Sequence, residues 1–364
     1  MKTDAGLTIV VFADTILGPN GVRSFYRTLL DWSKRTKSVR VVMLCPAGDL
    51  DEAERLDEDV ITVCPEARLP NPFYRDLVLG YYSQTKLREI VQSISGRKII
   101  HIATSGPLGV GGARLARRLR LPCVGCYHVN TPECTQLYGS KSFGRVGGWL
   151  GVRVARFLDR QAYGNCRAML APSDSAAEAA RTFFFGDVEV IPNPVDVNRF
   201  RPAATRHGAF RRRYTGDGKL LVIVVGRIAK EKNLDLIGEH LCGDDRINTV
   251  FVGDGPYRRS VEKRWNATVT GFLQGEDLVS VYQQADVFVQ LSVAETFGLA
   301  LVEAMASGLP SIALRSNGFV AKIASGCGVE VIEEDELPTL ADRCVALVKN
   351  EAKHREAGQR ARAF

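Results

Sequence analysis

Arg227 and Lys232 stand just after Leu220 to Val225, an apolar run that reads as a buried strand. A guanidinium fork and a mobile ammonium at the carboxyl end of a strand can clasp a diphosphate from two sides. Further along, Val287 to Gln290 is followed by Glu295-Thr-Phe-Gly-Leu-Ala-Leu-Val-Glu303-Ala-Met-Ala-Ser-Gly-Leu-Pro310. Phe297-Gly298 reads as the loop into a helix, with Glu295 ahead of that helix and Glu303 one to two turns along it. The N–H groups of Gly298 and Leu299 would then meet a phosphate at the positive helix end. Either glutamate alone reads equally as a residue on a wet helix face; the string as a whole points to a site.

The first half holds a similar turn. Asp14 ends the run Leu7 to Ala13, and Gly18-Pro19-Asn20-Gly21-Val22 opens the next helix, where a glycine lets backbone N–H groups approach an anion. A plain tight turn would look the same. Gly109-Val110-Gly111-Gly112 lacks the dinucleotide-binding spacing, and no acidic residue ends the second strand, which disfavours a nicotinamide enzyme. His128 follows Cys123-x-x-Cys126-Tyr, but no second cysteine pair stands at ligand spacing, so zinc is disfavoured and a structural histidine stays open. Asp49-x-Asp51 and Asp57-x-Asp59 lie in an acid-rich segment with no strand leading in and read as solvated surface.

The elements that must hold these residues alternate short apolar runs with helical periods, the pattern of a parallel sheet covered on both faces. Strands are expected at Leu7 to Ala13, Arg40 to Leu44, Lys98 to Ile102, Cys123 to Tyr127 and Ala168 to Ala171. A second series is expected at Leu220 to Val225, Thr249 to Val252, Ala267 to Thr270, Val287 to Gln290 and Pro310 to Ala313. Helices are expected over Asn20 to Lys34 and Val110 to Leu119. The proline-rich stretch from Ile191 to Pro202 reads as a connection. The fold expected is therefore α/β, with two Rossmann-like doubly wound domains, residues 1–195 and 196–364, facing a cleft. Gly144 to Tyr163 carries Arg145, Arg153, Arg156 and Arg160 among Trp149, Leu150, Val154 and Phe157. It reads either as a basic amphipathic helix on anionic lipid or as a helix packing its apolar side inward.

At 364 residues, 45% hydrophobic and 24% charged, the chain has the composition of an ordinary two-domain globular protein. The net charge of +7 suits an anionic ligand or membrane surface, while Arg211-Arg212-Arg213 is too short a run to indicate nucleic acid. Nine scattered cysteines form no disulfide scaffold and point to a reducing compartment. No apolar run reaches the ~18 to 20 residues of a membrane span, so a cytoplasmic protein is expected, with contact at the inner face of a membrane open.

With these residues in hand, the sequence resembles the retaining glycosyltransferases of family 4, also described as glycosyl transferases group 1. The resemblance covers nearly the whole chain and runs, in order, through Asn20-Gly21-Val22, Tyr127-His128, Thr131-Pro132, Tyr138-Gly139, Pro172-Ser173, Pro194-Val195-Asp196, Gly226-Arg227 to Lys232, Val252 to Pro256, Gly271-Phe272 and Glu295 to Pro310. The branch it looks most like holds glycolipid synthases and mannosyltransferases. The resemblance implies the GT-B fold, and it implies transfer of a hexose from a UDP- or GDP-linked donor to a hydroxyl acceptor, with lipid acceptors slightly favoured. No metal and no cofactor are implied.

It also implies roles. Arg227 and Lys232 bind the donor diphosphate, and the Gly21 loop closes on it. Glu303 hydrogen-bonds the ribose, while Glu295 with Phe297, Gly298 and Leu299 holds the sugar and phosphate. His128 reaches the donor sugar, and Gly271, Phe272 and Leu273 lie where the nucleobase sits. Asp14, Asn20 and Glu133 are offered as acceptor-side residues, though Asp14 and Glu133 read equally as structural. Two departures stand out. Arg315-Ser316-Asn317-Gly318-Phe319 replaces a two-glycine stretch, and the chain ends at Phe364, where a closing helix back to the first domain is expected. A non-catalytic nucleotide-sugar-binding subunit is the alternative reading. The oligomeric state is not legible.

Overall fold

The computed structural model describes residues 6–15, 21–47, 58–69, 78–203, 208–215, 218–292, 295–315, 327–349 and 351–363, without side-chain placement for 137–143 and 351–354. Asn20, residues 316–319, Asp49, Asp51, Asp57 and the Tyr138 side chain therefore lie outside what it describes. The chain divides into two units, Met1–Asn193 and Pro194–Phe364.

The first unit is built on β1 (Leu7–Phe12), β2 (Arg40–Pro46), β3 (Val60–Val63), a short pair β4 (Ala67–Leu69) and β5 (Leu79–Tyr81), β6 (Arg97–Ile102), β7 (Cys123–Cys126), β8 (Ala168–Ala171) and β9 (Asp187–Val190). Seven of these form a sheet in the order β3-β2-β1-β6-β7-β8-β9, with every pairing parallel. β1 reads as a nearly continuous apolar run, interrupted only by Thr8, because both of its faces are covered. Val10 and Phe12 enter one core layer, while Val11 enters another under the helix Gly21–Thr36. The strand order reverses between β1 and β6, which opens a crevice at their carboxyl ends.

The second unit repeats the plan with β10 (Leu220–Val225), β11 (Ile247–Val252), β12 (Thr268–Val269), β13 (Val287–Gln290), β14 (Ser311–Leu314) and β15 (Val329–Ile332). Their order is β12-β11-β10-β13-β14-β15, again parallel. Leu221 and Ile223 point into one core layer, Val222 and Val224 into the other. Here the reversal falls between β10 and β13. The helix Glu351–Ala363 packs within this unit: Ala361 is buried in its core, and the Arg362 guanidinium donates to the carbonyls of Val197, Phe200 and Ala306.

Five strands, β3, β4, β5, β9 and β15, were not expected from the sequence. β9 is an edge strand of alternating polar composition, Asp-Val-Glu-Val, and it is largely exposed, so it carries little apolar signal. Asp59 is not merely a solvated carboxylate: it stands at the start of β3 and takes two bonds, of 3.0 and 2.8 Å, from the Arg40 guanidinium. The segment Gly144 to Tyr163 is the second half of one helix, Thr131–Tyr163. Of its apolar residues, Leu158 and Tyr163 pack on the core but five others do not. Val146, Trp149, Leu150, Val154 and Phe157 are 50–75% exposed, while the inward line also holds Ala155, Asp159 and Ala162.

Candidate active site

In the second unit, β10 delivers Gly226 and Arg227 to the reversal point. Gly226 N–H donates to the Val252 carbonyl at 3.0 Å, and the two strand-end loops lie so close that a side chain at Gly253 would sit 1.9 Å from the Gly226 carbonyl oxygen. Glycine is required there by space as well as by its φ of +144°. A single 3-10 turn, Lys230–Lys232, follows. Asn233 ends that turn in the left-handed region, and its Nδ2 donates to the Leu291 carbonyl at 3.0 Å, which ties the turn to the end of β13. Between them is a small open cavity lined among others by Gly226, Arg227, Lys232, Gln290 and Ser292.

The cations arrive paired. Arg227 faces Glu231 at 3.4 Å, and both side chains are about nine-tenths buried. Lys232 Nζ donates to Glu295 Oε1 in a short charged hydrogen bond. The cavity thus holds donor groups whose charge is balanced by carboxylates one step away, so an anion entering it would exchange partners with them rather than meet bare cations. Glu231 was not picked out from the sequence, because Arg227 lies in the loop before the turn Lys230–Lys232 and the two meet only once that loop folds back.

Glu295 precedes the loop as expected. Phe297 is buried, and Gly298, at φ +84°, is the N-cap of the helix Leu299–Ala306. Within that helix the N–H groups of Leu301 and Val302 turn back to the Gly298 carbonyl, so those of Leu299 and Ala300 have no intrahelical partner. Glu303 lies one turn further on. Its carboxylate accepts from the Tyr282 hydroxyl at 2.8 Å. Desolvation pushes the Glu303 carboxyl up to about 7 against smaller downward pulls from Tyr282 and Arg199. Neither partner of Glu303 was read from the sequence. Gly271, at φ +84°, bridges to Gly253 beside β12; Phe272 is 45% exposed, and Leu273 packs on the core. Arg227, Lys232 and Glu295 are therefore brought together. Gly271 to Leu273 and Glu303 do not line the cavity.

In the first unit the reversal point is occupied by Asp14. Its carboxylate accepts from Thr104 Oγ1 at 2.8 Å and from the N–H groups of Leu108 at 2.8 Å and Gly109 at 3.0 Å. Burial pushes the Asp14 carboxyl up to about 6, with these bonds pulling the other way. Of its two readings, the structural one describes these contacts: Asp14 caps the helix Pro107–Leu119. Glu133 is likewise engaged at a helix start. Asn130 Oδ1 accepts its N–H at 3.4 Å, and Asn130 Nδ2 donates to Glu133 Oε2 at 2.9 Å. Gly21 is the first residue of the helix Gly21–Thr36, with open space where a Cβ would stand.

That helix sets Phe25 and Tyr26 against the His128 ring, at centroid distances of 4.6 and 5.4 Å. Burial, aided by nearby His101, holds the His128 imidazole down at about 3, so it is neutral at pH 7 and suits hydrogen bonding rather than proton donation. His101 is held down at about 4 by burial, and its Nε2 lies 2.6 Å from the Tyr26 hydroxyl. Cys123 and Cys126 are free and buried. Among the described residues no group of three His, Cys, Asp or Glu side chains gathers to hold a metal, and no helix is long and apolar enough to cross a membrane.

Comparison with known proteins covers both units. Residues 19–199 match the family model Glycosyltransferase Family 4, and residues 209–364 match Glycosyl transferases group 1. The chain is 33% identical over 320 residues to a GDP-mannose-dependent alpha-mannosyltransferase of Mycobacterium tuberculosis, covering 86% of this chain and 80% of that one. It is 26% identical over 327 residues to an alpha-monoglucosyldiacylglycerol synthase of Streptococcus pneumoniae, covering 84% and 71%. Among solved structures, Anabaena HepE in complex with UDP and glucose aligns with a TM-score of 0.74 at 18% identity, over 98% of this chain and 94% of that one. The fold of the two parallel-sheet units is that of the GT-B glycosyltransferases.

Proposed function

The chain belongs to family 4 of the glycosyltransferases, and from that premise we propose that it transfers a hexose, with retention and without a metal, from a UDP- or GDP-linked donor to a hydroxyl acceptor. The observation that carries the reading is the meeting of Gly226, Arg227 and Lys232 at the β10 and β13 strand ends. A departing nucleoside diphosphate gains negative charge, and fixed cations aimed at it stabilise the transition state more than the ground state. In this reading Arg227, Lys232 and the first amides of the helix Leu299–Ala306 hold the diphosphate, and Glu295 holds the sugar. Glu303 takes the ribose, Gly271 to Leu273 flank the base, and neutral His128 accepts or donates one hydrogen bond to the sugar. The Gly21 and Asn20 loop belongs to the same reading.

For the acceptor, we propose a lipid or glycolipid hydroxyl presented at an anionic membrane on the cytoplasmic side. The outer face of the helix Thr131–Tyr163 supports this. Val146, Leu150, Val154 and Phe157 form one exposed stripe, and Arg145, Trp149, Arg153, Arg156 and Arg160 form the stripe beside it, with no exposed carboxylate among residues 144–160. Arg153 lies 4.9 Å over the Trp149 ring, a pairing that suits the headgroup level.

The test of the donor reading is a thermal-shift panel of UDP, GDP and their hexose conjugates, since a ligand bound to the native state alone raises the Tm. Turnover is then followed by the anomeric configuration of the product in the presence of a chelator. A flat panel, an inverted product or loss of turnover on chelation would each sink the corresponding part.

A further inference from the structure

Gln290 ends β13 and has no catalytic or binding role so far. The residue is 6% exposed and borders the cavity with Arg227 and Lys232, and its buried Nε2 has no hydrogen-bond partner among the described residues. A buried amide left unpaired costs stability, and an apolar residue would serve the strand better. The surroundings indicate what the amide awaits. Gln290 Nε2 lies 3.2 Å from where a side chain at position 298 would begin, so the amide stands against the N-cap of the helix Leu299–Ala306. There Leu299 and Ala300 present N–H groups without an intrahelical partner. Arg227 and Lys232 border the same cavity, each bonded to a carboxylate it can release, and the amide NH₂ and the helix N-terminus beside it are both donors. Their common complement is an oxyanion rather than a sugar hydroxyl.

We infer that Gln290 is a further donor-binding residue, whose amide donates to the phosphate next to the sugar in the bound nucleoside diphosphate. The inference rests on the function proposed above. The helix N-terminus supplies the field and Gln290 supplies a neutral, directional donor, so the phosphate is held at a set angle as well as attracted.

The experiment is calorimetric and thermal-shift titration of the full chain with UDP and GDP, and with UMP and GMP. Gln290→Leu removes the amide. Its unliganded Tm is expected to equal or exceed that of the wild type, because an unpaired buried group is gone. Its Kd for the nucleoside diphosphate is expected to rise about tenfold to a hundredfold, the weight of a hydrogen bond to an ionised partner, while its Kd for the monophosphate changes less than about threefold. Gln290→Glu keeps the shape and sets a carboxylate against the phosphate, so its diphosphate affinity is expected to fall further. Should the leucine variant not fold, the glutamate variant alone decides. Wild-type diphosphate affinity in either variant, or equal losses for mono- and diphosphate, overturns the inference. A wild type that binds neither diphosphate removes the functional reading and the inference together, whereas a wild type that binds beside an unaffected Gln290→Leu removes the inference alone.

Discussion

Lys232 is the residue on which the donor reading turns, because it reaches the cavity while bonded to Glu295. Lys232→Ala is expected to lower kcat/KM by roughly 10² to 10³, the range for removing one donor from a charge-stabilising site, and steady-state kinetics with the donor found in the panel checks it. Glu303 carries a pH signature. Its carboxyl sits at about 7 in the fold against an ordinary 4.5. The folded state therefore keeps its proton where the unfolded chain has lost it, and the stability this group contributes is present at low pH and lost as the pH rises through 7. Glu303→Gln is expected to gain on the wild type by ~1–3 kcal/mol between pH 5 and pH 8, read from denaturant midpoints at each pH. Arg227 and Lys232 were legible in the sequence because a strand end is visible in the apolar run before them. Tyr282, Arg199 and Gln290 were not: the first two meet Glu303 only through tertiary folding, and the third reads as one polar residue closing an apolar strand.

The element whose reading the structure changed is the helix Thr131–Tyr163. Periodicity showed an amphipathic segment but could not say which arc faces the core, because the inward line mixes Leu158 and Tyr163 with the small residues Ala155 and Ala162 and the carboxylate Asp159, while larger apolar residues lie on the outer arc. The double change Trp149→Ser and Phe157→Ser removes two exposed rings, so the Tm is expected to stay within a few degrees of the wild type. Cosedimentation with vesicles containing phosphatidylglycerol should drop at least tenfold. Equal binding of the variant would assign the face another role. The helix Pro107–Leu119 depends on one distant side chain. Asp14→Ala deletes three hydrogen bonds at once and is expected to cost ~2–4 kcal/mol in denaturant unfolding. That cap was hidden in the sequence, since Asp14 and Leu108 are 94 residues apart.

At the scale of the molecule, each unit closes its own pair of core layers around its own sheet, and this division was legible because strand and helix signals alternate twice, with Pro192 to Pro202 between. The cavity with its cations belongs wholly to the second unit. Calorimetry of the full chain is therefore expected to show two transitions, of which UDP or GDP moves that of the second unit the further upward; equal movement of both would contradict this. The chain carries a net charge of +7, but Arg227 and Lys232 are already matched by Glu231 and Glu295. Anions arriving from bulk solution consequently find little unspent attraction there. Millimolar inorganic phosphate, which would crowd an open cationic cradle, must instead displace two carboxylates to enter. With a nucleoside diphosphate as the proposed ligand, its base and ribose would add anchors that a small anion lacks, and the pairing would then act as a sieve against the small anions of a cell.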